Sequence, residues 1–436
     1  MLPIAIFASL VLGLFLGHPL AFALGGVGLA WGLGLWGTQA LPIFALRFFS
    51  VMNNWVLVAV PLFIFMANIL ERSGVAENLF EALGVAFSRV RGGLGIAVIF
   101  VCTVFAACTG IIGASVVSMG LLAIPTMLKQ GYQKELTTGL VAAGGTLGIL
   151  IPPSIMLVMM GEQSGLSVGQ LFMGAIVPGL MLSSLYAGYV LVLCRLKPQV
   201  AGFGATERAQ GVSAASALLD VLKALLPPML LILGVLGSIF AGVATATEAA
   251  GVGAFLAAVL AIAYKRFSFR MLGEAVRQTA VTSSMSLMIV VGASAFTSVF
   301  LGVGGGDVVR EVMLGLGLGK WGTFVLMMFF VFILGMFIDW IGIVYITFPI
   351  FLPIAAALGF DKLWFVITLA VNLQNSFLTP PFGYALFYLR GIVPEGVTLA
   401  HIYRGIIPFV LLMLLGLLIC IAFPDIVLWL PGKMIG

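Results

Sequence analysis

Long apolar runs separated by short polar turns occupy most of this chain. Stretches such as 56–70, 137–160, 225–241 and 409–423 contain no charged residue. A helix of about 20 apolar residues crosses the hydrocarbon core of a bilayer. The pattern therefore predicts membrane-spanning helices at about 2–17, 20–37, 55–70, 137–160, 169–194, 225–243, 247–264, 280–300, 362–389 and 404–423.

Two further apolar stretches, 92–128 and 321–358, have a different pattern. Each consists of two apolar arms around a polar centre that contains glycine. The centres are Thr109–Ser115 in the first stretch and Asp339–Gly342 in the second. Because each arm has only about 15 residues, it is too short to cross a bilayer as one helix. We therefore expect two re-entrant hairpins that turn near the middle of the membrane.

The two halves of the sequence are similar to each other. A shift of 228 positions superimposes Pro125 on Pro353, Gly131 on Gly359, and Pro152-Pro153 on Pro380-Pro381. Similarity at a fixed spacing indicates duplicated structural units. We expect a first repeat over residues 1–194, a linker over 195–224 and a second repeat over 225–436, each repeat with five spans and one hairpin.

An odd number of crossings in each repeat places the second repeat upside down relative to the first. Basic residues concentrate in cytoplasmic loops, and the linker contains Arg195, Lys197, Arg208 and Lys223. The sequence therefore predicts an all-α polytopic membrane protein with an inverted repeat, broken helices, a cytoplasmic linker and both termini in the periplasm. This architecture is typical of secondary transporters.

The composition agrees with this fold and excludes several classes of function. Charged residues make up 8% of the chain and hydrophobic residues 62%, whereas soluble domains carry about 25% charged residues. The net charge of +5 comes from residues between the apolar runs, which indicates topology signals rather than a nucleic-acid surface. The sequence contains no Walker A motif, so we expect no use of ATP. We also expect no enzymatic activity and no organic cofactor.

Tandem prolines interrupt one predicted span in each repeat. Pro152-Pro153 follows a segment that contains Gly144, Gly145 and Gly148, and Pro380-Pro381 ends the second such segment. Proline removes a backbone donor and clashes with the preceding turn, so the helix must open at these positions. The freed carbonyl groups must face protein or a wet cavity. The recurrence favours an ion and substrate site over the alternative, a packing kink with a glycine contact between helices.

Polar side chains cluster just before the second tandem proline. They are Asn372, Gln374, Asn375, Ser376 and Thr379. Amide and hydroxyl groups are costly in an apolar span unless they are bonded, and they supply the neutral oxygen atoms that hard cations bind. We interpret the cluster as part of a Na⁺ site; hydrogen bonding between helices is the alternative.

Two acidic residues in apolar surroundings have different expected roles. Asp339 lies at the centre of the second hairpin, and an ionisable residue within a membrane segment is by default a functional-site hypothesis. We expect Asp339 to bind a cation, and the alternative is that it caps the second arm of the hairpin. Glu248 follows Thr245 with the spacing of a capping box, which predicts a structural role at the start of a span.

Together these motifs resemble those of a known family. Gly144–Ser154, Thr245–Gly251, Asp339–Gly342 and Asn375–Gly383 are similar to segments of the large membrane subunit of tripartite ATP-independent periplasmic (TRAP) transporters. The resemblance covers nearly the whole chain. It implies a multi-pass protein of the bacterial inner membrane that imports a small organic acid, such as a C4-dicarboxylate or sialic acid, together with Na⁺. It also implies an elevator motion, in which the hairpins and broken spans move against a scaffold formed by the remaining spans.

The resemblance further implies partners and site residues. The partners are a small four-span membrane subunit and a periplasmic solute-binding protein, and Na⁺ is the coupling ion. The residues that match the ion-binding regions of the family are Thr109, Gly110, Ser115, Gly144, Gly145, Gly148, Asp339, Gly342, Asn375 and Thr379. An anionic substrate is expected beside the half-helices that begin at Pro153 and Pro381, in contact with Ser154 and Thr379.

Three alternatives stay open on the sequence alone. A dicarboxylate carrier or exchanger of the same superfamily would work without a binding protein. An ion channel would not need paired breaks for alternating access, and an intramembrane enzyme would need a nucleophile motif or paired aspartates within its spans. Neighbouring genes for a small membrane protein and a secreted binding protein would favour the tripartite transporter.

Overall fold

The computed structural model describes residues 2–110, 112–201, 213–381 and 383–433. These residues form helices and the turns between them, with an isolated β-bridge between Tyr132 and Ala201. Within the described ranges, nine helical segments are long and apolar enough to cross a membrane. The chain is therefore an all-helical, multi-pass membrane protein, as predicted.

The helices follow one another in two similar series. The first series is α1 (Leu2–Phe15), α2 (Leu20–Trp36), α3 (Ala40–Met52), α4 (Ala59–Arg72), α5 (Val75–Ala86), α6 (Gly93–Thr109), α7 (Ile112–Lys129), α8 (Lys134–Thr146), α9 (Ile155–Ser164) and α10 (Val168–Leu196). The second series is α11 (Ala214–Phe240), α12 (Ala246–Ala263), α13 (Phe269–Gly302), α14 (Gly305–Gly315), α15 (Gly319–Gly335), α16 (Trp340–Ala357), α17 (Lys362–Ser376), α18 (Tyr384–Arg390), α19 (Leu399–Ala422) and α20 (Asp425–Leu428).

Helix boundaries recur at the spacing found in the sequence. The shift that aligns the two halves places both ends of α7 on the ends of α16, and it places the start of α8 on the start of α17. The pairs α6–α7 and α15–α16 are the predicted hairpins. The pairs α8–α9 and α17–α18 are the predicted broken spans, each interrupted by a segment with tandem prolines.

The described residues contain four helices that the apolar runs did not predict, namely α3, α5, α14 and the short α20. Helix α5 carries Glu77 and Glu81, and α14 carries Asp307, Arg310 and Glu311. Charged positions interrupt the apolar run of an amphipathic helix, so a search for continuous apolar stretches does not find it.

The linker between the repeats is shorter than the predicted 195–224. Helix α10 continues to Leu196, and α11 begins at Ala214. Asp220 and Lys223 made the start of α11 resemble a loop, although a helix that extends beyond the bilayer accommodates charges at its end. Arg208, which contributed to the predicted orientation, lies outside the described residues.

Glycine contacts hold the central helices close together. Helix α2 packs against α13, and α8 packs against α19. A Cβ atom on Gly28 would lie 3.0 Å from the backbone nitrogen of Phe296, and one on Gly139 would clash with the carbonyl oxygen of Gly405. Small residues allow close backbone approach where apolar lipid provides no driving force for helix association. This packing positions both hairpins against both broken spans.

Candidate functional site

A cavity of about 500 Å³ lies where the two hairpin tips meet the two broken spans. Gly110 and Gly113 line it from the first tip, and Asp339 lines it from the second. Ile155 and Tyr384, which begin the second parts of the broken spans, complete this side of the wall. Helices α2 and α13 form the opposite side. Four segments that the sequence indicated separately therefore share one cavity.

Four helices of more than two turns begin at the wall of this cavity. Helix α2 begins at Leu20, α7 at Ile112, α9 at Ile155 and α16 at Trp340, and all four residues line the cavity. The first N–H groups of a helix have no partner within the helix, and the helix dipole places partial positive charge there. Helix starts are therefore able to bind an anion without a cationic side chain.

The first hairpin tip packs directly on the first helix break. Gly110 ends α6 with φ of 60°, a conformation that favours glycine. A Cβ atom on Gly110 would lie 3.3 Å from both the carbonyl oxygen of Pro153 and the nitrogen of Ile155. The predicted ion-binding tip and the predicted break are thus in contact. The side chain of Thr109 lies outside the described part of the chain.

The glycines before the first helix break allow it to pack closely against the arms of the first hairpin. A Cβ atom on Gly144 would lie 2.7 Å from Cys102 Sγ, and one on Gly148 would lie 3.4 Å from Ser115 Oγ. A Cβ atom on Gly145 would clash with Val116. These contacts place the backbone of residues 144–148 beside the buried Ser115, and ion binding at these positions stays a prediction.

The hydroxyl groups predicted to contact substrate are held by nearby backbone. Ser154 is the N-cap of α9, where its Oγ accepts a hydrogen bond from the Leu157 N–H at 3.4 Å and donates one to the Ile149 carbonyl. Thr379 Oγ1 donates to the Asn375 carbonyl at 2.9 Å. Pro153 is buried, whereas Pro381 is exposed. Substrate contact at these positions stays a prediction.

The polar cluster before the second tandem proline contains buried atoms that lack hydrogen-bond partners. Gln374 Nε2 donates to Thr146 Oγ1 at 3.4 Å, and Asn372 Nδ2 donates to the Met328 carbonyl at 2.7 Å. Within the described residues, Gln374 Oε1 and both side-chain polar atoms of Asn375 have no partner. A buried polar atom without a partner costs about 1–3 kcal/mol. These amide oxygens are therefore candidates to bind an ion.

The second hairpin tip holds Asp339 and Gly342 at the start of α16. Asp339 is the N-cap residue of α16 and lines the cavity, so its place is compatible with both predicted roles. Gly342 packs on α2, because a Cβ atom there would lie 3.0 Å from Leu20 Cδ2. The described residues contain no group of three or more His, Cys, Asp or Glu side chains placed to hold a metal ion.

The sequence interpretation missed Tyr384 and Tyr388, which line the cavity from α18. They are four residues apart and so lie on one face of the helix. The equivalent positions of the first repeat are Met156 and Met160. Comparison of the two repeats at these positions would have singled out the tyrosines.

Hydrogen bonds that join the hairpins and broken spans to the other segments were also missed. Glu162, at the end of α9, accepts hydrogen bonds from Asn54 Nδ2 at 2.8 Å and from the Tyr345 hydroxyl at 2.6 Å. A cavity of about 270 Å³ lies beside these three residues. Ser118 of the first hairpin donates to Glu71 of α4 at 2.5 Å. The bonds from Asn54 to Glu162 and from Ser118 to Glu71 join elements that the resemblance assigns to different domains.

Comparison with solved structures shows the same fold in another transporter. The crystal structure of the YdaH transporter of Alcanivorax borkumensis, which has an unusual topology, superimposes with a TM-score of 0.65. The match covers 98% of this chain and 99% of that chain, at 14% sequence identity. This likeness concerns the fold alone.

Sequence comparison finds relatives that are transporter permeases of one kind. The C4-dicarboxylate TRAP transporter large permease protein DctM of Rhodobacter capsulatus is 31% identical over 98% of both chains. The ectoine/5-hydroxyectoine TRAP large permease UehC of Ruegeria pomeroyi is 30% identical over 98% of this chain and 97% of that protein. The sialic acid TRAP large permease SiaM of Vibrio cholerae is 28% identical over 97% of both.

The family model for the DctM component of tripartite ATP-independent periplasmic transporters matches residues 7–426. This match covers both hairpins, both broken spans and the cavity between them. The chain therefore belongs to the DctM family, the large permease subunits of TRAP transporters.

Proposed function

We propose that this chain is the transport subunit for Na⁺-coupled uptake of a small organic acid across the bacterial inner membrane. The observation that carries the proposal is the single cavity bordered by both hairpin tips and both broken spans. Inverted-repeat transporters bind substrate at the interface of such discontinuous helices. The helix starts at the wall, among them those of α7, α9 and α16, supply partial positive charge for a carboxylate.

The proposed coupling ion is Na⁺, bound close to this cavity. Two groups support the proposal: the Asp339 carboxylate at the second tip, and the partnerless amide oxygens of Gln374 and Asn375. The second hairpin and α17 are in contact, because a Cβ atom on Gly335 would clash with Ser376 Oγ. An ion there would offset the charge of a half-buried carboxylate and satisfy oxygens that are otherwise unpaired.

We propose two partners, a small four-span membrane subunit and a periplasmic binding protein that delivers the substrate. Membership in the DctM family supports both. Movement of the hairpins and broken spans as one body against the scaffold is proposed as the transport step. A carrier of the same superfamily that works without a binding protein is the second candidate.

Uptake by the reconstituted complex tests the proposal. Proteoliposomes containing this chain, its small subunit and the binding protein should accumulate the acid under an inward Na⁺ gradient, with or without ATP. Equal uptake under a proton gradient in Na⁺-free buffer would contradict Na⁺ coupling. Full uptake without the binding protein would favour the second candidate.

A further inference from the structure

The cavity between the hairpin tips has an unusual lining for a site that takes an organic acid. Asp339 is the only charged side chain among the described residues that border it, and none of these residues is Lys, Arg or His. On the side of the cavity formed by α2 and α13, the side-chain polar groups are the hydroxyls of Thr282, Ser284 and Ser286 on α13. Most of the remaining wall is aliphatic, thioether or aromatic.

An aromatic wall faces the first hairpin tip. Tyr384, Tyr388 and Trp340 all border the cavity. The ring of Tyr388 lies directly on the first tip, because a Cβ atom on Gly113 would be only 2.9 Å from Tyr388 Cζ. Gly113 lies within α7, so this glycine provides space for the ring rather than a turn.

The aromatic wall belongs to one repeat only. Tyr388 is 41% exposed, whereas Met160, its counterpart in the first repeat, is fully buried. Tyr384 likewise corresponds to the buried Met156. The tyrosines are therefore a feature of the second repeat alone, and both are partly exposed where they border the cavity.

The charges at the cavity wall favour an acid with one carboxylate over an acid with two. A dicarboxylate would bring two negative charges beside Asp339, and the described wall offers no cationic side chain to offset the second. Helix starts and a Na⁺ ion can stabilise one carboxylate. The apolar remainder of the wall would leave a second carboxylate desolvated without a partner.

We propose that this cavity binds a monocarboxylate with an aromatic or comparably apolar body, in preference to a C4-dicarboxylate. The proposal rests on the proposed function of the same cavity and specifies its substrate class. The carboxylate lies at the starts of α7, α9 and α16, and the apolar body packs against Tyr388 and the methionines of α13, Met285 and Met288. Aromatic and thioether groups provide favourable contacts for a ring.

Binding of two probe acids to the permease itself tests the proposal. The purified complex of this chain with its small membrane subunit, without the binding protein, is titrated calorimetrically with phenylacetate and with succinate at saturating Na⁺. We expect phenylacetate to bind at least about tenfold more tightly than succinate. Its ring gains an aromatic contact, whereas the second carboxylate of succinate has no positive charge beside it. Equal or tighter binding of succinate would overturn the proposal, and so would no binding of phenylacetate.

Variants of the aromatic wall locate the binding site. Tyr388→Ala should weaken phenylacetate binding about tenfold, and Tyr388→Phe should retain most of it because the ring is kept. Phe387→Ala is the matched control, since Phe387 is the neighbouring aromatic residue, is 71% exposed and does not border the cavity. Unchanged phenylacetate binding by Tyr388→Ala would contradict the assigned site. If a variant does not fold, the comparison of phenylacetate with succinate on the unaltered protein still tests the proposal.

The Na⁺ dependence distinguishes this proposal from the proposed function. Tight phenylacetate binding that is indifferent to Na⁺ would support the substrate class and contradict the coupling. Na⁺-dependent binding of succinate in preference to phenylacetate would support the coupling and overturn the substrate class.

Discussion

Asp339 is the residue whose substitution most directly separates ion binding from helix capping. It occupies the N-cap of α16 and borders the cavity. Asp339→Asn preserves the shape and removes the charge. If Asp339 binds Na⁺, half-saturation of uptake by Na⁺ should rise roughly tenfold, which corresponds to about 1.4 kcal/mol. The measurement is a Na⁺ titration of uptake by the reconstituted complex.

The capping alternative predicts a different outcome for the same variant. Asparagine is about as good an N-cap residue as aspartate, so a purely structural Asp339 would leave the titration unchanged. Asp361→Asn is a matched control, because Asp361 caps α17 through a hydrogen bond from the Trp364 N–H and does not border the cavity. A normal Na⁺ titration for Asp339→Asn would favour the cap and reject the ligand.

Gly139 is a residue where added volume should destabilise the protein. A Cβ atom there would clash with the Gly405 carbonyl oxygen, at the contact of α8 with α19. Gly139→Ala should lower the free energy of unfolding by about 1–3 kcal/mol, because an overpacked contact forces the backbone to shift. Thermal unfolding of the purified protein in detergent measures the effect.

Gly251 in α12 provides the control for this effect. A Cβ atom on Gly251 would meet no atom within 4 Å, and alanine is the better helix former by about 1 kcal/mol. Gly251→Ala should therefore be neutral or stabilising. Equal destabilisation by both substitutions would show that the Gly139 contact is not the cause.

The role of a single residue was predictable where neighbouring residues in the sequence define it. The capping box of Thr245 and Glu248 is confirmed, with the Thr245 N–H donating to Glu248 Oε2 at 2.8 Å. Asp339 was identifiable because a carboxylate interrupts an apolar segment. The contact of Tyr388 with Gly113 was not predictable, because it joins residues of different repeats that meet only in the folded chain.

At the scale of helices, the sequence predicted the interrupted elements better than the amphipathic ones. Tandem prolines and polar hairpin centres have local physical consequences, so the pairs α6–α7 and α17–α18 were found. Helices α5 and α14 mix charged and apolar positions over few turns, and no continuous apolar run marks them. The cavity depends on how the hairpins and broken spans pack together, which no single segment encodes.

The hydrogen bonds of Glu162 lead to a prediction about the contact between α9 and the segment before α4. Glu162 joins Asn54, before α4, to Tyr345 of α16. A hydrogen bond to a charged group contributes about 1.5–3 kcal/mol, so Glu162→Gln should weaken this contact. A cysteine at Ser298, which borders the neighbouring cavity, should then react several-fold faster with a maleimide in a cysteine-free background.

A double-substitution cycle identifies the bond responsible for this change. Asn54→Ala should accelerate labelling as Glu162→Gln does, and the two changes together should add little, because both act on the bond between Asn54 and Glu162. The control is Asn53→Ala, whose amide bonds only the nearby Phe49 carbonyl. Labelling rates that are unchanged, or effects that add fully, would mean that this bond does not hold the two elements together.

At the scale of the whole molecule, the orientation in the membrane is the main untested prediction. Basic residues near the linker predict that Arg195 and Lys223 lie in the cytoplasm. A cysteine at Lys223 should be labelled by a membrane-impermeant reagent only after the inner membrane is permeabilised. Labelling of this position in intact spheroplasts would reverse the orientation of the whole chain.

The bond between Gln374 and Thr146 bears on the ancestry of the chain. These two residues occupy the same position in the two repeats, yet their side chains meet. In a twofold symmetric dimer, residues beside the axis contact their own copies. Such a contact is what a duplicated gene leaves when two identical subunits become one polypeptide.

A fused dimer is free to make its halves different, as two identical subunits are not. The sequence has isoleucine at position 111 where the second half has Asp339, and it has Met160 where the second half has Tyr388. Both of these positions of the second half border the cavity. Divergence after such a fusion would give the cavity one acidic and one aromatic side, both from the second half.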